Sequence, residues 1–306
     1  MLHQPPITLT LFIISPLLFL ISAAQARNCN GHAELCGRRY SNISFVGAHD
    51  SPFVGPLPSD NQGISVTEQL QRGYRFLQGQ THIDDYDDEN PGVLHMCHTD
   101  CLLRDAGTVT EYLATVKTFL DNNPDEVVTV LLTNGDDVDI SVFDSVVTES
   151  GIKDYAFTPS GKLSMDQWPT LEELINSNKR LVLFLDYGAD TSKVPYILPE
   201  FDYIFETKYG ITDPNFPDCS LDRPPGASPD GLMFLMNHFL DIKIIDGILV
   251  PDRANAERTN AANGEGSIGA QVETCWQLYQ RPPNFVLLDF VEKGEGLLAQ
   301  DQLNAL

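Results

Sequence analysis

The sequence predicts an α/β fold, an α/β barrel in a single domain, and three observations carry that prediction. Several runs are apolar at both parities, as in EVVTVLLT (126–133) and RLVLFLDY (180–187), the pattern of strands covered on two faces in parallel sheets. Most of these runs end in a polar tip and are followed by helical periodicity, the rhythm of repeated βα units. No linker divides the 306 residues, a length that suits one barrel of ~250 residues. A doubly wound sheet is the competing fold, but the first strand is followed only by Gly47 and Gly55, not by a Gly-rich phosphate loop.

In chain order, residues 1–26 read as a signal peptide: Ile7 to Ile21 is apolar, no charge precedes Arg27, and Ala24-Gln25-Ala26 has small-x-small form. The run is too short for an anchor of ~20 residues, so the mature chain, 27–306, is expected to be secreted. ISFVGAHDSPF (43–53) is the first strand, broken by Asp-Ser-Pro. Ser65 with Glu68 forms a capping box, and Gly73 stops that helix. YRFLQGQTH (74–82) and GVLHMCH (92–98) read as the next strands, around the acidic loop 84–89. A helix follows over 108–120 with Val109, Leu113, Val116 and Leu120 in helical spacing, then the strand 126–133. Helices at 141–148 and 170–177 lead to the strand 180–187, and 201–206 reads as a further strand. Stretches 219–229 and 253–267 read as loops around the strand GLMFLMNH (231–238); a helix over 270–280 and the strand NFVLLDF (284–290) follow.

All six cysteines follow the signal sequence, which favours disulfides; pairing by proximity gives Cys29–Cys36, Cys97–Cys101 and Cys219–Cys275. Asn42-Ile43-Ser44 is a glycosylation sequon. With 43 acidic and 19 basic residues the formal charge is −24, which argues against a nucleic-acid partner and against attraction to an anionic membrane.

Polar residues at the strand ends are His49, Asp50, Gln78, Gln80, His98, Asn134, Asp136, Asp186, Asn237, His238 and Asp289. Two histidines with carboxylates on one mouth supply a general base and a general acid for opposite sides of a phosphorus or acyl centre. There is no G-x-S-x-G elbow and no H-E-x-x-H pair. His95 and His98 lie three apart, so on a strand they point to opposite faces and at most one enters the barrel.

GAHDSPF, the R-x-L-x-x-Q strand after Q-L-x-x-G, L-H-x-C-H-T, DNNPDEVVT and the closing VLLDF together resemble the phosphatidylinositol-specific phospholipase C X-domain superfamily. The closest resemblance is to its secreted, single-domain fungal PLC-like phosphodiesterases, over roughly 41–298. It implies a distorted TIM barrel and cleavage of a phosphodiester through a cyclic phosphate. His49 corresponds to the family's base, Asp289 to the carboxylate holding it, His98 to the acid and Asp50 to the partner of that acid. Gln78, Gln80, Asn134, Asp186 and Asn237 are the expected substrate contacts. Gln80 stands where metal-independent members carry an arginine, and Gln78 and Gln80 where calcium-dependent members carry acids. Three remedies follow: Arg75, Arg104 or Lys117 reaches in; calcium, possible but not favoured, is held by 84–89 or by Asp50, Asp136 and Asp186; or the substrate differs. No cofactor is expected. The expected function is cleavage of a phospholipid or glycosylated-lipid headgroup at a membrane surface by a monomer. The alternative is a weakened barrel that binds a ligand or cell-surface partner.

Overall fold

Period-two alternation along the apolar runs sorts side chains into two cores, one inside a curled sheet and one outside it. The structure is a computed structural model and describes residues 1, 27–86, 92–245 and 247–306, without the side chain of Ile245. The expected signal peptide, 1–26, lies outside the described residues except for the first, and the acidic loop 84–89 is described only to 86. Among the described residues no helix is long and apolar enough to cross a membrane.

The strands are β1 (Phe45–Ala48), β2 (Phe76–Asp84), β3 (Val93–Cys97), β4 (Asp105–Thr108), β5 (Val128–Asn134), β6 (Leu181–Leu185) and β7 (Ile197–Pro199). They continue as β8 (Ile204–Thr207), β9 (Leu221–Arg223), β10 (Met233–Asn237), β11 (Asp241–Ile245), β12 (Ile248–Pro251) and β13 (Phe285–Leu288). Parallel ladders run in the order β7-β6-β5-β2-β1-β13-β10-β8. β9 then takes the remaining edge of β8 in antiparallel sense, so among the described residues no ladder joins β7 to β8. The result is a distorted, incompletely closed α/β barrel in one domain.

Several expectations change. The run 92–98 is not a barrel strand: β3 pairs antiparallel with the far half of β2, and β4 pairs with β3. The connection between β2 and β3 is too short for a parallel crossover, which needs a dozen or more residues. The stretch 201–206 divides into a helical turn, Glu200–Tyr203, and β8. The expected loop 219–229 contributes β9, and the loop 253–267 holds a short helix, Ala256–Thr259. β7 and the hairpin of β11 and β12 were not expected from the pattern. The helix starts are as the sequence implies: Ser65, Thr108 and Thr170 each form a reciprocal capping box with the Glu three residues on.

Phe45, Phe76, Leu131, Phe184, Leu235 and Phe285 fill the barrel, and Tyr40 stacked on Trp168 at 4.9 Å adds to that core. Val46, Leu77, Val130, Leu183 and Val286, one residue out of phase, pack outward into the second core. Burying each such side chain contributes about 1.5–3 kcal/mol. Gly47 is required inside, because a Cβ there would lie 2.4 Å from the Phe76 carbonyl oxygen and 2.5 Å from its ring. Nearer the strands' carboxyl ends the inward positions turn polar: His49, Gln78, Gln80, Asp186, Glu206 and Asn237 line an open cleft. All three expected disulfides are present, and no cysteine is free.

Candidate active site

β1 and β13 lie side by side with Ala48 opposite Leu288, which brings the next residues, His49 and Asp289, together. His49 Nδ1 donates to Asp289 Oδ1 at 2.9 Å. Asn61 also donates to that oxygen at 3.0 Å, and Gln62 ties the backbone carbonyls of His49 and Leu288. Phe239, just past β10, stacks flat on the His49 ring at 3.7 Å. These contacts fix the ring and leave Nε2 as its working atom. Burial would lower the His49 pKa, but the Asp50 and Asp289 carboxylates, the Asp289 hydrogen bond and Asp241 outweigh it and push the pKa up to about 9.

Asp50 follows with a left-handed φ of 45°, which bends the chain sharply out of the strand. Its carboxylate is fully buried. Oδ2 accepts from Gln80 Nε2 at 2.8 Å and lies 3.5 Å from His49 Nε2 and 3.6 Å from His98 Nε2. His98 stands one residue beyond β3, on a turn closed by Cys97–Cys101 and by its own N–H to the Arg104 carbonyl at 2.9 Å. Its Nδ1 donates to the Ser59 carbonyl at 2.7 Å, and its ring stacks on Phe53 at 5.1 Å. Both imidazoles therefore present Nε2 to the same carboxylate oxygen, close enough to address two oxygens of one phosphorus.

The cleft, of about 380 Å³, extends from His49 past Gln78 and Gln80 to Asp186, Glu206, Arg223 and Asn237. It is closed on that side by Glu200, Tyr187 and Tyr209. Arg223 Nε and Nη2 both bind Glu206 Oε2, at 2.9 and 2.5 Å, beneath the Tyr209 ring. Burial pulls the Arg223 pKa down, but Glu206 and Glu200 more than restore it. Burial, with Glu206 beside it, raises the Glu200 pKa well above the ordinary carboxylate range. Burial likewise raises Asp186, against the pull of the Asn134 and Tyr187 N–H groups.

The structure brings His49, Asp50, His98, Asp289, Gln78 and Gln80 into one centre, with Asp186 and Asn237 farther along the cleft. Other sequence candidates serve elsewhere. Asn134 lines the cleft, and both its polar side-chain atoms also bind Val138 of its own loop. Asp136 binds His82 and the Ile83 N–H, so Asp50, Asp136 and Asp186 do not converge on one ion. His238 is buried between Gln271 and the Thr259 carbonyl, where burial lowers its pKa. None of the proposed substitute cations reaches in: Arg75 pairs with Glu126, Arg104 with Asp60 and Lys117 with Asp121.

Among the described residues, donor atoms close enough to share a metal ion meet at Asp84, His95 and Asp105, outside the cleft. His95 Nδ1 lies 3.1 Å from both Asp105 oxygens, while its Nε2 is buried without a partner. A metal on Nδ1 would move the ring proton onto that buried nitrogen, where no acceptor waits. In this structure His95 is held by its hydrogen bond to Asp105.

The family model described as PI-PLC X 1 matches residues 35–304. The chain belongs to the PI-PLC X domain family. It is 57% identical over 287 residues to a PI-PLC X domain-containing protein 1 of Arthroderma benhamiae, covering 94% of this chain and 92% of that protein. It is 44% identical to an uncharacterized secreted protein of the same organism, covering 88% of this chain and 61% of that one. The fold is similar to the phosphatidylinositol-specific phospholipase C of Listeria monocytogenes, with a TM-score of 0.54, 15% identity and coverage of 89% and 95% of the two chains. A point mutant of the phosphatidylinositol-specific phospholipase C from Staphylococcus aureus gives a TM-score of 0.59 at 12% identity, with coverage of 88% and 93%.

Within this PI-PLC X domain, Arg223, Glu200, Glu206, Asp241 and Asn61 escaped sequence reasoning. Arg223 lay in a stretch read as a loop, and nothing in LDRPP signals a strand that docks on β8. Asp241 opens the unexpected hairpin; burial and Asp289 raise its pKa to about 6, against the pull of His49 and His98.

Proposed function

We propose that the protein is a secreted phosphodiesterase that cleaves a phospholipid or glycosylated-lipid headgroup by paired-histidine acid-base chemistry. The observation that carries this reading is the shared approach of His49 Nε2 and His98 Nε2 to Asp50 Oδ2, each ring fixed at its other nitrogen. In this scheme a headgroup hydroxyl next to the phosphate attacks phosphorus, and His49 Nε2 takes its proton. The new P–O bond closes a cyclic phosphate as the bond to the lipid alcohol breaks, and His98 Nε2 gives the departing oxygen a proton. Asp289 steadies the charged His49, and Asp50 steadies the charged His98. Disulfides and a relative described as secreted support the extracellular setting.

A second reading, a barrel that binds without turnover, is favoured by one observation. Arg223 is the one Arg or Lys among the cleft's described lining residues, and Glu206 neutralises it. Preorganised charge at a developing anion is commonly worth ~3–4 kcal/mol. Purified protein assayed on phosphatidylinositol and on lysophospholipids, with calcium and with chelator, separates the readings. Turnover abolished by His49→Ala is expected; saturable binding without product on every substrate would favour the second reading.

A further inference from the structure

Residues 59–62, Ser-Asp-Asn-Gln, lie in the loop between β1 and Ser65, and each of them binds one side of the catalytic centre. The Ser59 carbonyl takes the His98 Nδ1–H at 2.7 Å. The Asp60 carboxylate, buried, takes Arg104 Nε at 2.7 Å. Asn61 donates to Asp289 Oδ1 at 3.0 Å, and Gln62 donates to the His49 and Leu288 carbonyls at 2.7 and 3.1 Å. Ser59 and Asp60 thus serve the side of His98, and Asn61 and Gln62 the side of His49. On the His98 side Arg104 is the meeting point. Its carbonyl holds the His98 N–H at 2.9 Å, Nη2 reaches the Val54 carbonyl at 2.9 Å, and Nη1 reaches the Asp105 carbonyl at 2.7 Å. The second Asp60 oxygen accepts the Leu57 N–H at 2.8 Å, which anchors the carboxylate in its own loop.

We propose that Arg104, held by Asp60, is a positioning residue for the general acid His98, and that the 59–62 segment keeps His98 and His49 at a fixed spacing. A buried ion pair is weak evidence of stabilisation, because desolvation offsets much of the attraction. What this pair supplies is direction. A planar guanidinium bound through three separate nitrogens has one orientation, whereas an ammonium bound at one point has many. His98 is tied to both halves of the clamp, by its N–H to Arg104 and by its Nδ1 to Ser59. Loosening Arg104 therefore lets the two ties shift against each other and moves Nε2 relative to Asp50 and His49. A displacement of about 1 Å near the reacting atoms can cost on the order of 10²-fold in rate. The names acid and base rest on the proposed phosphodiesterase reading, but the fixing of the His98 ring does not and is measured without turnover.

The experiment uses Arg104→Lys, which keeps a charge beside Asp60 and loses the fork, with Asn61→Ala as its counterpart on the base side. Hydrogen exchange of the imidazole Nδ1–H protons is followed by NMR. Turnover is measured on the butyl and nitrophenyl esters of inositol phosphate, which share a headgroup and differ in how far the departing oxygen needs a proton. In Arg104→Lys the His98 proton is expected to exchange about tenfold faster or more, while the His49 proton on Asp289 stays protected. The ratio of butyl to nitrophenyl turnover is expected to fall about tenfold or more. Asn61→Ala is expected to give the reverse, with the His49 proton released and both esters slowed by the same factor. Unchanged His98 exchange in Arg104→Lys, release of both protons together, equal losses on the two esters, or a like pattern in the two variants would overturn the proposal. A residue that only stabilised the fold would act on both rings and both esters alike. If Arg104→Lys does not fold, Asp60→Asn/Arg104→Gln leaves neither partner as an unpaired charge and is read in the same way. If wild type turns over neither ester, the phosphodiesterase reading falls and the His98 exchange alone decides the positioning.

Discussion

Gln80 Nε2 donates to Asp50 Oδ2 across 2.8 Å, and the same glutamine accepts from the Thr99 N–H at 3.0 Å. One neutral side chain thus links the buried carboxylate to the residue after His98. Gln80→Leu keeps the volume and removes both bonds, so a stability loss of about 1–3 kcal/mol is expected. Urea unfolding checks it. Wild-type stability in the variant would show that this link carries nothing.

Asp289→Asn is expected to lower the His49 pKa by at least one unit, because the variant loses a carboxylate and a charge-assisted bond that hold it up. An NMR titration of the His49 ring proton reads this directly. An unchanged titration would mean that Asp50 alone sets the charge.

Linkage gives the wild type a pH signature. His49 has a folded pKa of about 9 against an ordinary 6.5, so its contribution is fully present below pH 6.5 and is lost as pH rises through 9. On the order of 3 kcal/mol is involved. The urea midpoint should fall between those limits in wild type and fall less in His49→Gln. Parallel curves would contradict the assignment.

His98→Ala should be largely rescued on a nitrophenolate ester, whose leaving group needs little protonation, whereas His49→Ala should not. With the acid step removed, the rescued rate should climb about tenfold per pH unit toward pH 9 as His49 becomes neutral. A flat profile from pH 7 to 9 would remove His49 from the base role.

The disulfides should separate stability from activity. Cys219 and Cys275 are 56 residues apart and Cys97 and Cys101 only 4, so loop entropy assigns about 4 kcal/mol to the first and about 2 to the second. Replacing the short bridge by serines should nonetheless cost more turnover, since it releases the turn carrying His98. Denaturation and assay of both double-serine variants test the reversal.

Much of this arrangement was legible because barrel chemistry sits where apolar alternation stops. ISFVGAHD marks its own end, and NFVLLDF does the same. What stayed hidden depends on long-range pairing. β7 is three residues long, too short to show a period, and β9 is three residues inside a Pro-rich stretch. Arg223 becomes a cleft residue only through its register opposite Glu206. Asn134 is ambiguous in the other direction: it holds its own turn, a polar residue at a strand tip serves a turn as readily as a substrate, and the sequence holds nothing to tell the two apart.

The open seam of the barrel has a thermodynamic consequence. A ring of strands held on both edges exchanges its amide hydrogens only through global opening, but β7 and β9 are the two ends of a line. Each is three residues long, and Pro199 within β7 and Pro224 just after β9 remove donors that a foreign strand would need. The ends are thereby protected from aggregation, yet they are the least anchored part of the sheet. Unzipping should begin at the wall that carries Glu200 and Arg223 and reach β1 and β13 last, so the two histidines would keep their geometry after the far side of the cleft has loosened.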